Sequence, residues 1–107
     1  MTLKFVSLTA LFLVCASGIV FSADNAVDQA NQQFSTKNLT VKVGDTITFK
    51  NSDDVTHNIS VDDADGNTDD LGLQKPGESL TTKISKAGDY AIHCHIHPKM
   101  KMKISAQ

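Results

Sequence analysis

Apolar and polar residues alternate in short runs over most of this chain. Leu39-Thr40-Val41-Lys42-Val43 has a period of two, and Thr46-Ile47-Thr48-Phe49-Lys50 repeats it after a Gly44-Asp45 turn. Residues two apart on a strand share a face, so this pattern predicts strands buried on one side. The same reasoning predicts strands at His57 to Val61, at Leu80 to Ile84 after the Pro76-Gly77 turn, at Tyr90 to Cys94 after Gly88-Asp89, and at Met100 to Ile104. A helical i, i+4 pattern is absent after residue 33. Short strands separated by turn signals predict an all-β sandwich.

Two segments do not join this pattern. Asp24 to Gln33 is rich in Asn and Gln and reads as an extended arm or a short helical turn. Asp62 to Asp70 reads as a solvated acidic loop. A calcium loop of the EF-hand kind is excluded there, because Gly66 is out of phase and no Glu closes the twelfth position.

The first residues predict export. Lys4 supplies a positive charge, Leu8 to Val20 is almost wholly apolar, and small residues follow at Ser22 and Ala23. Cleavage is expected after Ala23, with Ser22 nearly as good; a buried core helix or an uncleaved anchor are the alternatives. Val14 before Cys15 is a poor fit to a lipid-attachment signal. The expected organisation is a signal peptide over 1–23 and one domain over 24–107. That domain is expected to be periplasmic and monomeric, without stable membrane insertion.

Charge and cysteine count narrow the function. Without the first 23 residues, nine Lys stand against 12 Asp plus Glu, a net charge of about −3. A nucleic-acid binder is expected to be strongly basic. The remaining lone cysteine, Cys94, has no internal disulfide partner and is then either a liability or a ligand.

The chemistry sits in the frame Cys94-x-x-His97-x-x-Met100. A thiolate, imidazoles and a weak thioether suit copper in electron transfer. Structural zinc gains little from Met, and calcium and magnesium want oxygen. A short hook alone cannot enclose an ion, so a donor from a neighbouring strand is needed. His57 is the sole histidine outside the C-terminal cluster. The expected ligands are His57, Cys94, His97 and Met100. Met102 is the rival of Met100, and one of the two is expected to pack into the core. His93 and His95 flank Cys94 and should point to the opposite face. They are expected to be partly exposed, with a second metal site or an electron-exit contact as the other uses. Lys99, Lys101 and Lys103 near this end are candidates to steer an acidic partner.

From Asn51 through Ile104 the chain resembles the cupredoxins, the small blue-copper proteins that include plastocyanin, pseudoazurin and amicyanin. Val41 to Asn51 resembles the strand pair that leads to the first His ligand. The Cys94 to Met100 hook is similar to the short ligand loop of amicyanin, with Pro98 favouring Met100 over Met102. The resemblance implies a Greek-key β-sandwich of about six to eight strands holding one type 1 copper ion. It implies that Asn58 ties the ligand loops together near Cys94, and that electrons pass at the His97 edge. The chain is also similar to green cupredoxins linked to periplasmic copper tolerance.

The expected function is therefore one-electron transfer with a redox partner such as a cytochrome, dehydrogenase or oxidase. The alternative is copper handling, in which the protein binds or oxidises copper from the periplasmic pool. No second histidine cluster that could build an oxidase centre is visible, nor a Ser/His/Asp or paired-carboxylate set, so an enzyme is not expected.

Overall fold

The computed structural model describes residues 22–107, so the predicted signal segment up to Phe21 lies outside the described residues. Among the described residues, nine strands and no helix are present. They are β1 (Asp24–Ala30), β2 (Gln33–Phe34), β3 (Asn38–Val41), β4 (Thr46–Asn51), β5 (His57–Asp62), β6 (Thr68–Gln74), β7 (Ser79–Lys83), β8 (Gly88–His93) and β9 (Lys101–Ala106). One sheet has the order β2-β1-β4-β7 and the other β3-β9-β8-β5-β6. The chain crosses repeatedly between the sheets, which places β1 parallel to β4 and β3 parallel to β9.

The alternating runs become the two inner faces. Ile47 and Phe49 of β4 point inward, as do Met102, Ile104 and Ala106 of β9. With Val27, Ile59, Ile84 and Ile92 they form one continuous core. Branched and aromatic side chains suit this pleated surface. Truncating one of the fully buried Ile or Phe residues to Ala would cost about 2–5 kcal/mol.

Two segments depart from the sequence expectation. Asp24 to Gln33 is no arm: β1 pairs with β4 from Asp24↔Thr46 to Gln29↔Asn51, then turns back into β2. Asn31 and Gln32 both hold positive φ, 53° and 56°, which is the two-residue turn whose twist matches a hairpin. Likewise the acidic segment is a loop only from Asp63 to Asn67. Thr68–Gln74 forms β6, an edge strand antiparallel to β5. The strand count is nine rather than six to eight because β1, the short β2 and β6 are held by backbone pairing.

Polar side chains shape the turn that enters β5. Asn51 donates from Nδ2 to the carbonyls of Val55 (2.8 Å) and Gln74 (2.9 Å) and accepts from the Asp53 amide (2.9 Å). Gln74 donates to the carbonyls of Phe49 (2.7 Å) and Glu78 (2.9 Å). Both side chains are fully buried, so these bonds fix the backbone just before His57.

Candidate metal centre

His57 opens β5, and Cys94 and Met100 stand at the open end of the β8–β9 pair. The last ladder pairs there are Ile92↔Met102 and His93↔Lys101. The Cys94 amide then donates to the Met100 carbonyl (3.3 Å), which extends the ladder by one step. Cys94 and Met100 therefore oppose each other on the inward face, where opposed side chains of an antiparallel pair meet. Between them the Met100 amide donates to the His97 carbonyl (2.9 Å) and closes the loop as a turn. Cys94 and Met100 are buried, and His97 is half-buried.

Three donor atoms converge. His57 Nδ1 lies 3.1 Å from His97 Nδ1, and Cys94 Sγ lies 4.0 Å from the first and 3.8 Å from the second. Bonds of about 2.0–2.1 Å to nitrogen and 2.3 Å to sulfur, at ligand angles of about 100–130°, put donors about 3.1–4.0 Å apart. The observed distances fit one ion bound by all three. Among the described residues this is the one group of three His, Cys or acidic side chains with donors close enough for that.

The other ring nitrogen of His57 explains its aim. Nε2 lies 3.0 Å from Asp53 Oδ2. Asp53 accepts a hydrogen bond from the Gln32 amide, which together with the His57 contact holds its carboxyl down to about 2 despite some desolvation. An ionised carboxylate only accepts, so Nε2 carries the proton in this contact, and in the neutral ring Nδ1 is then the nitrogen with the lone pair. That lone pair is buried, and it faces a second imidazole nitrogen and a sulfur. A soft cation satisfies all three. Asp53 was not singled out in the sequence. The available signal was a carboxylate in a polar turn four residues before the ligand histidine.

Asn58 holds the sulfur loop. Its amide lies 3.4 Å from Cys94 Sγ as a donor. Its side-chain oxygen accepts from the His95 amide (3.0 Å), and Nδ2 donates to Asp70 Oδ1 (2.8 Å) and to the Gly72 carbonyl (3.3 Å). One buried amide thus ties β5, β6 and the Cys94 loop together.

The remaining residues sort by face. Met102 packs in the core opposite Ile92, one inward step further from Cys94 than Met100. His93 lies on the outer face of β8, and the exposed His95, just past the end of the strand, packs edge-on against its ring. Lys103 pairs with Asp89 (3.2 Å) diagonally across the β8–β9 ladder. Lys99 and Lys101, joined by Lys37, border a groove of about 440 Å³ that also contacts His97, Met100 and the exposed Ile96.

Fold and site together define a small all-β metal protein with a Cys–His–His centre at one end of a sandwich. Residues 21–107 match the family of copper binding proteins of the plastocyanin/azurin type, and the chain belongs to that family. It is similar to the methylamine utilization protein MauL of Methylorubrum extorquens, 37% identical over 65 residues, or 61% of this chain and 57% of that protein. It is also similar to amicyanin of Paracoccus denitrificans, 36% identical over 88 residues, covering 77% of this chain and 66% of amicyanin. The chain thus spans less than two thirds of the length of these two relatives. The solved structure of a single-site amicyanin mutant in its Cu(I) form matches with a TM-score of 0.72 at 28% identity, over 78% of this chain and 82% of that one. Copper is the metal of this family, and the His57, Cys94 and His97 cluster is the candidate for a single copper site.

Proposed function

We propose that this protein is a one-electron carrier that binds a single type 1 copper ion through His57, Cys94 and His97, with Met100 as a weak axial donor. The observation that carries the reading is the convergence of Cys94 Sγ and the two Nδ1 atoms at 3.1–4.0 Å. When bound, copper supplies a Cu(I)/Cu(II) couple. The residues keep the donors in place in both states: Asp53 orients His57, Asn58 fixes the loop at Cys94, and the β8–β9 ladder holds Met100 opposite the sulfur. The half-buried His97 is the edge for electron exchange. Ile96 and the lysines at 37, 99 and 101 surround it with an apolar, positively rimmed surface. Such a surface suits a redox protein partner that is acidic around its own exit point. The reading places the chain in the periplasm as an exported monomer without catalytic chemistry of its own.

A second reading, copper handling, is favoured by the extra histidines on the outer face. Deletion separates the two. Lost copper tolerance with intact respiration argues for handling. Fast electron exchange between the purified protein and a cytochrome, with tolerance unchanged, argues for the carrier. The direct test of the centre is an optical and EPR spectrum after stoichiometric Cu(II) loading. An intense visible thiolate-to-copper band is expected, and Cys94→Ser should abolish it. A colourless protein that binds no stoichiometric copper would remove the reading.

A further inference from the structure

The outer face of the β8–β5 pair carries further side chains of the kinds that ligate metals. His93 and His95 stand two residues apart on either side of Cys94, so both project away from the first centre. Their ring centroids are 4.9 Å apart, almost the 4.8 Å of the His57–His97 pair. Asp62, at the end of the neighbouring β5, lies with Oδ2 2.8 Å from His93 Nε2. That is the length of a His–carboxylate hydrogen bond, and it leaves the two donor atoms about 0.5–0.8 Å short of the separation that tetrahedral ligands with bonds of about 2.0–2.2 Å would show.

A fourth polar group lies on the same face of the sheet. Ser60 pairs directly with His93 in the ladder and therefore shares its face. Its hydroxyl is completely buried and has no hydrogen-bond partner. A buried hydroxyl is rarely left unpaired, and an ion or its bound water beside the imidazoles would satisfy it. The opposing feature is Lys101, across from His93 on β9, but it is exposed and its flexible stem lets the amine move into solvent.

We propose that His93, His95 and Asp62 form a second metal site, open to solvent, for a divalent cation of borderline softness such as Zn(II) or Cu(II). The cation takes the place of the proton between His93 Nε2 and Asp62 Oδ2, and that proton leaves to solvent. The exposed His95 ring turns to supply the third donor, with water completing the shell. Three protein donors plus water is the pattern of an open rather than a closed site. The site is independent of the first centre, since its donors lie on the other side of the strand.

The test is a calorimetric titration of the purified chain with zinc chloride in competing buffer, counting equivalents. The wild type is expected to bind two, His95→Gln one, Cys94→Ser one and the double variant none. His95 is exposed, so its substitution leaves the core intact. Unchanged stoichiometry in His95→Gln overturns the proposal, as does a single wild-type equivalent that Cys94→Ser removes. Should Cys94→Ser keep two equivalents, the first centre is misassigned, while the loss in His95→Gln still supports the second.

Discussion

Replacing Asn58 by Ala removes the one side chain that joins β5, β6 and the Cys94 loop. Three hydrogen bonds disappear: from the His95 amide, to Asp70 and to the Gly72 carbonyl. Each contributes about 0.5–1.5 kcal/mol net, and a partner left buried without a substitute raises the cost. The side chain is 5% exposed, so water restores these bonds only in part. The expected loss is about 2–4 kcal/mol in urea unfolding of the apo protein, or a fall of about 10–25 °C in Tm for a domain of this size. Asn58→Ser keeps a short acceptor for the His95 amide and should recover part of the loss. The same change should alter the copper spectrum, because the amide that faces Cys94 Sγ belongs to residue 58. A loss below about 1 kcal/mol with an unchanged denaturant slope would refute the reasoning. The clamp would then be incidental and the loop held by the ladder alone.

Three further outcomes follow from the geometry. Met100→Leu conserves volume, should cost under about 1.5 kcal/mol, and should shift the colour and raise the reduction potential by about 60 mV or more, whereas Met102→Leu should leave both in place; voltammetry showing the reverse would exchange their roles. Asp53→Asn should raise the potential, since a neutral amide stabilises the cationic Cu(II)–imidazole less than a carboxylate does; an unchanged potential would show that the contact to His57 has no electronic effect. Asp45 accepts from the Lys42 and Ala23 amides, which hold its carboxyl below the usual carboxylate range. Its folded-state value lies under the unfolded one, so its contribution is complete above about pH 4 and fades as pH falls further. Asp45→Asn should be less stable at neutral pH and show a flatter decline as pH falls below about 4; an unaltered acid limb would contradict this.

Legibility followed the kind of interaction that holds each part. The strands that bury an apolar face, β4, β8 and β9 above all, announce themselves by alternation, and so does the sandwich they form. β1 and β6 do not. Their sequences, Asp24–Ala30 and Thr68–Gln74, are dominated by polar residues, and their place in the sheets comes from backbone pairing with β4 and β5. Backbone hydrogen bonds leave no mark in the order of side chains. The convergence of His57, Cys94 and His97 is legible because metal ligation demands particular residue types at particular spacings. The preference for Met100 over Met102 rested on loop length and likeness. The ladder register supplies a firmer reason, because it sets Met100 opposite Cys94 and Met102 opposite Ile92. Asp53 escaped notice because an outer hydrogen bond places weaker demands on residue identity than a ligand does.

The arrangement of these supports bears on how the centre would work. His57 and Cys94 sit on adjacent strands of one sheet, and Met100 is tied to Cys94 by the next strand. Asp53 links His57 to the Gln32 amide in the β1–β2 turn, which belongs to the other sheet. Asn58 links the sulfur loop to the β6 edge. His57, Cys94 and Met100 are thus each restrained by a different neighbour. A donor set restrained in this way has little distance to travel when its ion gains or loses one electron. If so, weakening one restraint should spread the copper geometry before it abolishes binding. Asp53→Asn and Asn58→Ala would then broaden the Cu(II) EPR lines while stoichiometry stays at one. Loss of copper in either variant, with unbroadened lines in what remains bound, would show that these contacts create the site rather than stiffen it.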